Sequence, residues 1–320
     1  MFATTSSPNL SLRADFQNNM WIIKHQKVFL AISGIFILAS IVSLSVFGLK
    51  VGIDFKGGSF TEVSYIDEMP TIVEIQEQIA TLEFGETLVQ PVGNSEVSIK
   101  SRSLSEAERQ SLISALSFGE KYDVEERSFT SVGPSVGKEL KRRAIVSLVI
   151  VEIVMILFIA YAFRKVSKPV SSWRFGFVTV ATLLHDVIMT VGVFTLISYF
   201  TGAEANTLFV VALLTVQGLS VNDTIVVFDR IRENLINNKD GKLDFKTIVG
   251  KSINQTVFRS LNTSLSTIIV LVCLVLWGPE STRIFSLTLA AGMFFGTYSS
   301  IFIASPLLTL VDKWQGKSSS

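Results

Sequence analysis

The stretch 206-NTLFVVALLTVQGLSVNDTIVVF-228 decides the fold, because it is apolar over the length of a bilayer and still carries an acid, Asp223. About 20 consecutive apolar residues are enough to span the hydrocarbon core as a helix. Five more runs of this kind occur, at about 28–48, 144–163, 175–200, 257–277 and 284–311. The sequence therefore predicts a helical membrane protein with six transmembrane helices.

The composition supports a membrane protein and argues against several other classes. Of the 320 residues, 48% are hydrophobic and 17% are charged, whereas roughly a quarter are charged in a typical soluble domain. The 28 basic residues nearly balance the 27 acidic ones, so we predict no nucleic-acid partner. The single cysteine, Cys273, excludes an intramolecular disulfide and argues against a cysteine-based metal site.

The short loops predict the orientation of the helices, because cytoplasmic loops are enriched in lysine and arginine. The loop 164–174 has no acid and carries Arg164, Lys165, Lys168 and Arg174. We therefore predict that both termini are cytoplasmic. The predicted segments are a cytoplasmic N-terminal segment (1–27), helix 1 (28–48), an extracytoplasmic domain (49–142), helices 2 to 6 with cytoplasmic loops (143–312) and a cytoplasmic tail (313–320).

The insert 49–142 is polar and has the pattern of a folded domain. Strand patterns occur at 59–65, 86–92, 95–101 and 122–132, and helical patterns occur at 71–82 and 103–118. Ser103 and Glu106 fit a capping box at the start of the second of these helices. The order β-α-β-β-α-β predicts a ferredoxin-like α+β domain between helices 1 and 2, which by itself decides no function.

Two glycine-containing segments join this domain to the predicted membrane helices. Gly57 and Gly58 lie in 52-GIDFKGGSF-60, and Gly133 and Gly137 lie in 131-SVGPSVGKEL-140. Glycine permits a positive φ and a close approach of two backbones. Two interpretations stay open: tight connections, or a pair of hinges that pass motion of the membrane part to the domain.

The position of Asp223 within a span is energetically unfavourable, since insertion of an ionisable side chain at the centre of a span costs roughly 2.5–3.5 kcal/mol. On a helical wheel, one polar arc of about 120° contains Gln217, Ser220, Asp223 and Thr224, and Asn222 points away from this arc. In the fifth span, one helix face contains Gln255, Arg259, Asn262, Thr263 and Ser266. Asp223 and Arg259 form either a switch that opens on protonation of the acid, or a static pair that fixes helix packing.

Two further acids lie within predicted spans. Asp186 follows His185 in the third span and shares a helix face with threonines. The only other histidine is His25, so we predict no metal site, and Asp186 is either a third element of a relay or a structural hydrogen-bond acceptor. Glu152 has no polar neighbours at helical spacing, and we expect it to be neutral or to contact a neighbouring helix or subunit.

Six segments resemble, in their order and spacing, the SecF-type members of the SecD/SecF family of protein-export membrane proteins, which belong to the RND superfamily. They are GIDFKGG (52–58), SVGPSVG (131–137), the His-Asp pair of the third span, LSVNDTIVVFDRIREN (219–234), INQTVFRSLNTS (253–264) and GTYSSIFIASPLL (296–308). The resemblance implies an RND-type half of six transmembrane helices with a ferredoxin-like domain after the first. The family usually has Gly-Tyr-Ser before the Asn-Asp pair, and here the residues are 218-GLS-220.

The resemblance implies a subunit of the Sec machinery in the inner membrane, and not an enzyme. With SecD, it would use the proton motive force to drive or complete the translocation of unfolded preproteins. The implied partners are a SecD-like subunit, the SecYEG channel with SecA, YajC-like and YidC-like membrane proteins, preprotein clients and membrane lipid. No cofactor besides the proton gradient is implied.

The resemblance places the proton relay at Asp223 and Arg259 of this sequence. Around this pair, the polar residues that we expect to support it are Asn222, Ser220, Thr224, Asn262, Thr263, Asp186 and His185. The alternative function is half of an RND-type proton-coupled transporter of small molecules or lipids, which would need a partner or a second copy.

Overall fold

The computed structural model describes residues 21–66, 68–93, 95–164, 172–238 and 243–318. Residues 1–20 of the predicted N-terminal segment, Lys165 and Lys168 of the basic loop, and 319–320 of the predicted tail lie outside the described residues. The chain divides into two compact units. The membrane unit takes its described residues from 1–49, 148–203 and 208–320, and the inserted unit takes them from 50–147 and 204–207.

The elements are numbered here in chain order. The membrane unit begins with α1 (Trp21–Lys24) and α2 (Gln26–Phe47). The inserted unit contains α3 (Ile53–Lys56), β1 (Gly58–Tyr65), α4 (Ile72–Ala80), β2 (Leu88–Val92), β3 (Glu96–Ser101), α5 (Glu106–Leu116) and β4 (Val124–Val132). The rest are α6 (Pro134–Ala162), α7 (Ser172–Thr201), α8 (Thr207–Asn237), α9 (Phe245–Trp277), α10 (Glu280–Ser299) and α11 (Ser305–Ser318).

Among the described residues, six helical segments are long and apolar enough to cross a membrane, which confirms the predicted number of spans. They are α2, α6, α7, α8, α9 and the continuous segment from α10 into α11. Helices α6 and α9 begin at Pro134 and Phe245, well before the predicted apolar runs at 144 and 257. Hydropathy finds only the apolar part of a helix, whereas Asp244 caps the polar start of α9 by accepting a hydrogen bond from the Thr247 N–H.

The sixth span is interrupted by a π-helical turn, Ser300–Ala304. Pro306 lies two residues after the end of this turn, and a proline lacks an N–H and clashes with the carbonyl four residues earlier. The wider turn accommodates the proline without ending the helix, as short π segments do. Ser299 and Ser300 lie at the junction, where both are fully buried.

An aromatic cluster forms part of the core of the membrane unit. The rings of Phe163 and Phe175 stack with centroids 5.1 Å apart, and Phe228 meets Phe175 edge-on at 5.2 Å. These rings join the C-terminal end of α6, the N-terminal end of α7 and the C-terminal half of α8. Offset or edge-on pairs of this kind contribute about 0.5–1.5 kcal/mol beyond area burial.

The inserted unit is a four-stranded antiparallel sheet with the strand order β2-β3-β1-β4. Its chain order is β-α-β-β-α-β between α3 and α6, which confirms the predicted split βαβ arrangement. A bulge interrupts the β1–β4 register between Glu62 and Val63. Below the sheet, the fully buried core side chains include Val63, Ile75, Ile79, Val97, Leu112 and Leu116.

The predicted capping box at the start of α5 is wrong by two residues. The N-cap is Ser105, which accepts from the Glu108 N–H, and Glu108 accepts in return from the Ser105 N–H. Leu104 is buried, and its N–H donates to Ser59 Oγ at 2.8 Å, so the chain is still tied to β1 at this point. The helix therefore begins after Leu104, although both serines fit the same pattern.

Three of the four predicted hinge glycines lie where a side chain would collide with backbone. Gly57 and Gly58 have φ values of 81° and 139°. A Cβ on Gly137 would lie 2.9 Å from the Gly57 nitrogen and 3.2 Å from the Phe55 carbonyl, whereas a Cβ on Gly133 would meet nothing within 4 Å. These contacts favour a tight connection at Gly57, Gly58 and Gly137, and the hinge interpretation stays a prediction.

Candidate functional site

Asp223 lies on α8 at the contact with α9 and is only 6% exposed. Its Oδ2 accepts a hydrogen bond from Ser264 Oγ at 3.0 Å. Ser264 is buried on α9, one turn after Ser260, whose hydroxyl is also buried and has no hydrogen-bond partner among the described residues. The acid is therefore held in a polar strip between two helices and not directed at lipid.

Arg259 on α9 lies near Asp223 of α8. Its side chain is exposed and makes no ion pair within 4.0 Å among the described residues. It lines a cavity of about 370 Å³ along α8 and α9, together with Arg230, Glu233 and Gln255. Glu233 is paired with Arg230, whose Nε also donates to Gln255 at 2.7 Å. Arg259 is therefore a cation at the edge of this cavity, close enough to Asp223 for an electrostatic interaction but not bonded to it.

The predicted polar residues of α9 all lie on its exposed face. Asn262 and Thr263 are exposed, as is Asn222 on α8, so none of these three contributes to the buried site. The face of α9 that packs inward instead carries Ser252, Thr256, Ser260 and Ser264. The polar residues of α9 cover more than half of its circumference here, so the sequence pattern alone did not separate the buried face from the exposed one.

Asp186 is fully buried and accepts hydrogen bonds from three side chains. Ser220 Oγ donates at 2.5 Å and Ser299 Oγ at 2.8 Å, both to Oδ2, and His185 Nδ1 lies 2.9 Å from Oδ1. On the far side of the imidazole, Nε2 lies 2.7 Å from Ser33 Oγ. The predicted residues Asp186, His185 and Ser220 are thus brought together, and α2 and α10 each supply one more partner.

Thr224, the last residue of the polar arc predicted for α8, also has a side-chain contact with another helical segment. Its hydroxyl lies 2.8 Å from Ser300 Oγ in the π-helical turn, and Ser300 Oγ also lies 3.2 Å from the Ser220 carbonyl. The sequence pattern does not single out Ser33, Ser264, Ser299 and Ser300, because a single serine in an apolar helix is usually a packing residue. The motifs around Ser264, Ser299 and Ser300 were nevertheless visible in the sequence.

Glu152 contacts a neighbouring helix, which is one of the two outcomes that the sequence left open. Gln217 Nε2 donates to Glu152 Oε1 at 2.6 Å and joins α8 to α6. Among the described residues, no group of three His, Cys, Asp or Glu side chains is placed to hold a metal ion.

Comparison with known proteins identifies the family of this chain. The profile of the family described as protein export membrane protein SecD/SecF, C-terminal, matches residues 113–314, which is more than half of the chain. The chain belongs to the SecD/SecF protein-export family. Its SecF relatives include the protein translocase subunit SecF of Thermobaculum terrenum, which is 38% identical over 92% of this chain and 94% of its own length. The SecF of Anaerolinea thermophila is 35% identical over 90% of this chain and 93% of its own.

Solved SecDF structures share the fold. A crystal structure of SecDF from Thermus thermophilus, titled a translocon-associated membrane protein, superposes with a TM-score of 0.75 at 28% identity and covers 92% of this chain. A SecDF structure in a super-membrane-facing form superposes with a TM-score of 0.63 at 28% identity over 95% of this chain. This chain spans 38% and 40% of those longer chains. The SecF-named relatives support a Sec translocation subunit and do not favour the small-molecule transporter.

Proposed function

We propose that this chain is a proton-driven SecF subunit that works with a SecD-type partner to move unfolded preproteins outward through the SecYEG channel and its ATPase SecA. It lies in the inner membrane with both termini in the cytoplasm, and its inserted unit faces outward. YajC-like and YidC-like proteins belong to the same assembly. Family membership, the SecF-named relatives and the basic residues of loop 164–174 support this proposal.

The observation that carries the proposal is the state of Asp223. A buried carboxylate without a paired cation is unfavourable in a low-dielectric interior, so a carboxyl group there is most stable when neutral or when a cation moves to it. Here Ser264 donates to the carboxyl group, while Arg259 remains exposed beside it. This arrangement supports a protonated Asp223.

Loss of the proton from Asp223 provides the driving event. The ionised carboxylate attracts Arg259, because an arginine stays charged at any physiological pH. Formation of the pair moves α9 relative to α8, and reprotonation releases it. An elementary charge that crosses 100 mV is worth about 2.3 kcal/mol, which shifts a two-state equilibrium by roughly fiftyfold. The chain's work is this conformational change, so we assign it no catalytic residue and no cofactor besides the proton gradient.

Replacement of Asp223 tests the proposal directly. Asp223→Asn keeps the size and a hydrogen-bond acceptor but cannot ionise. In cells that carry this variant as their only copy, we expect the gradient-dependent part of preprotein export to be lost, while the variant still inserts in the membrane and copurifies with its SecD-type partner. The matched control is Asn222→Ala, one residue away on the exposed side of α8, which should export normally. Normal export by Asp223→Asn refutes the proposal.

A further inference from the structure

Glu152 and Gln217 form a buried pair in which one oxygen of each side chain is left over. Gln217 is 1% exposed, and its Nε2 donates to Glu152 Oε1 at 2.6 Å. Glu152 Oε2 and Gln217 Oε1 are both buried and have no hydrogen-bond partner among the described residues. Two unpartnered acceptors in a membrane interior are costly, since each loses its hydration without replacement.

A proton on Glu152 satisfies both atoms at once. An ionised carboxylate only accepts hydrogen bonds, whereas a protonated one has an O–H to donate. With the proton on Oε2, the acid can donate to Gln217 Oε1 while it accepts from Gln217 Nε2. The amide and the acid then form a closed pair of two hydrogen bonds, and no charge is left in the span.

The charges around Glu152 agree with a neutral acid. Among the described residues, no lysine or arginine forms an ion pair with it. Asp186 on α7 is near enough to Glu152 for a repulsive electrostatic interaction, and Asp186 is itself in contact with His185. A second negative charge next to Asp186 would be repelled, so protonation also relieves this contact.

Three successive positions of α8, each three residues apart, contact or carry a carboxyl group. Gln217 contacts Glu152, Ser220 contacts Asp186, and Asp223 carries the third carboxyl group itself. These α8 positions are three residues apart, which is an axial step of about 4.5 Å at 1.5 Å per residue. These positions run from the middle of the span towards its C-terminal end.

We propose that Glu152 is a second proton-binding residue of the membrane unit and that it exchanges protons with Asp223 by way of Asp186. The protonated Glu152–Gln217 pair stands on its own geometry, whereas the transfer to Asp223 rests on the proposed function. Each transfer moves one proton from a carboxylic acid to a carboxylate, so neither a redox partner nor a cofactor is needed.

Two measurements on the full-length chain test this inference. Infrared spectra in lipid vesicles at neutral pH should show the carbonyl band of a protonated carboxylic acid. The part of this band that comes from Glu152 should be absent in Glu152→Gln. Gln217→Leu should move this band to higher frequency, because the acid loses its partner. In cells, Glu152→Gln should lose gradient-dependent export at a normal membrane level. The double variant Glu152→Gln/Gln217→Glu, which exchanges the acid and the amide, should restore both the band and the export.

The control is Thr215→Val on the same helix, since the Thr215 hydroxyl donates only within α8, to the Val211 carbonyl at 2.7 Å. It should match the unmodified chain in both measurements. The inference is overturned if no protonated-acid band is lost in Glu152→Gln, or if that variant exports normally. If Asp223→Asn also exports normally, the proposed function fails as well; if Asp223→Asn is inactive, only the role of Glu152 is refuted.

Discussion

The close contact between Gly137 and the segment before β1 makes a sharp prediction about the inserted unit. In Gly137→Ala, the new Cβ lies 2.9 Å from the Gly57 nitrogen and 3.2 Å from two atoms of the Phe55 carbonyl group. All three are backbone atoms, so no side chain can swing aside. Overpacking costs typically 1–3 kcal/mol, and we take the upper end because the obstacle is backbone.

Alanine also favours the helix, and this gain offsets part of the cost. Ala is better than Gly in a helix interior by about 1 kcal/mol. The net destabilisation is therefore about 2 kcal/mol, which corresponds to a roughly thirtyfold change in an equilibrium constant. Hydrogen–deuterium exchange of the full-length chain in lipid should show amides of β1 and β4 exchanging faster by this factor.

Gly133→Ala is the matched control for this prediction. Its Cβ would meet nothing within 4 Å, and its φ lies outside the left-handed region. Because alanine is a poorer N-cap than glycine, its cost at the start of α6 should be about 0.5–1 kcal/mol, or roughly a two- to fivefold change in exchange. If Gly137→Ala exchanges like the unmodified chain, the backbone contact is not what requires glycine, and the hinge interpretation gains support.

Three further predictions concern the inserted unit of the full-length chain. Leu112→Ala empties a fully buried site and should destabilise the unit by about 2–5 kcal/mol in the same exchange measurement, with the exposed Ser114→Ala as its control. Burial raises the pKa of Tyr65 to about 12. The contribution of its neutral phenol to the stability of the unit should therefore be complete below the unfolded pKa near 10 and be lost as the pH rises through 12. Ultraviolet titration of tyrosinate will check this, because the step near pH 12 should be absent in Tyr65→Phe. The hydrogen bonds from Arg102 and then from Ser105 lower the pKa of Glu108 to about 2. Protection of the α5 amides from hydrogen exchange should therefore be complete above the unfolded pKa near 4.3 and fall as the pH drops through 2. Glu108→Gln should remove this acid dependence.

The sequence was sufficient where a pattern has one physical solution. A run of about 20 apolar residues crosses a bilayer only as a helix or in a closed barrel, so the six spans followed from hydropathy. Alternation and turn residues likewise gave the strand order along the chain of the inserted unit. Asp186, Ser220 and Asp223 were found because polar residues on otherwise apolar helices need polar neighbours.

The sequence was insufficient where two solutions fit the same pattern. Ser103 and Ser105 both precede a glutamate by three residues, and only the tie between Leu104 and Ser59 decides between them. On α9, the exposed face with Asn262 and the buried face with Ser264 are equally polar. Which face packs inward depends on α8, and this is a property of the tertiary structure.

The contacts of α8 also indicate which helix responds to a change of charge at Asp223. Within two turns, Gln217 bonds to α6, Ser220 to α7, and Thr224 to the π-helical turn after α10, so α8 is held from three sides. At the level of Asp223, the described link to α9 is the single bond from Ser264. Further along α8, Arg230 and Asn234 also bond to Gln255 of α9, and neither of these bonds involves the titrating group. In the proposed mechanism, we therefore expect a change of charge on Asp223 to act first on α9 at Ser264, while the other α8–α9 bonds stay in place.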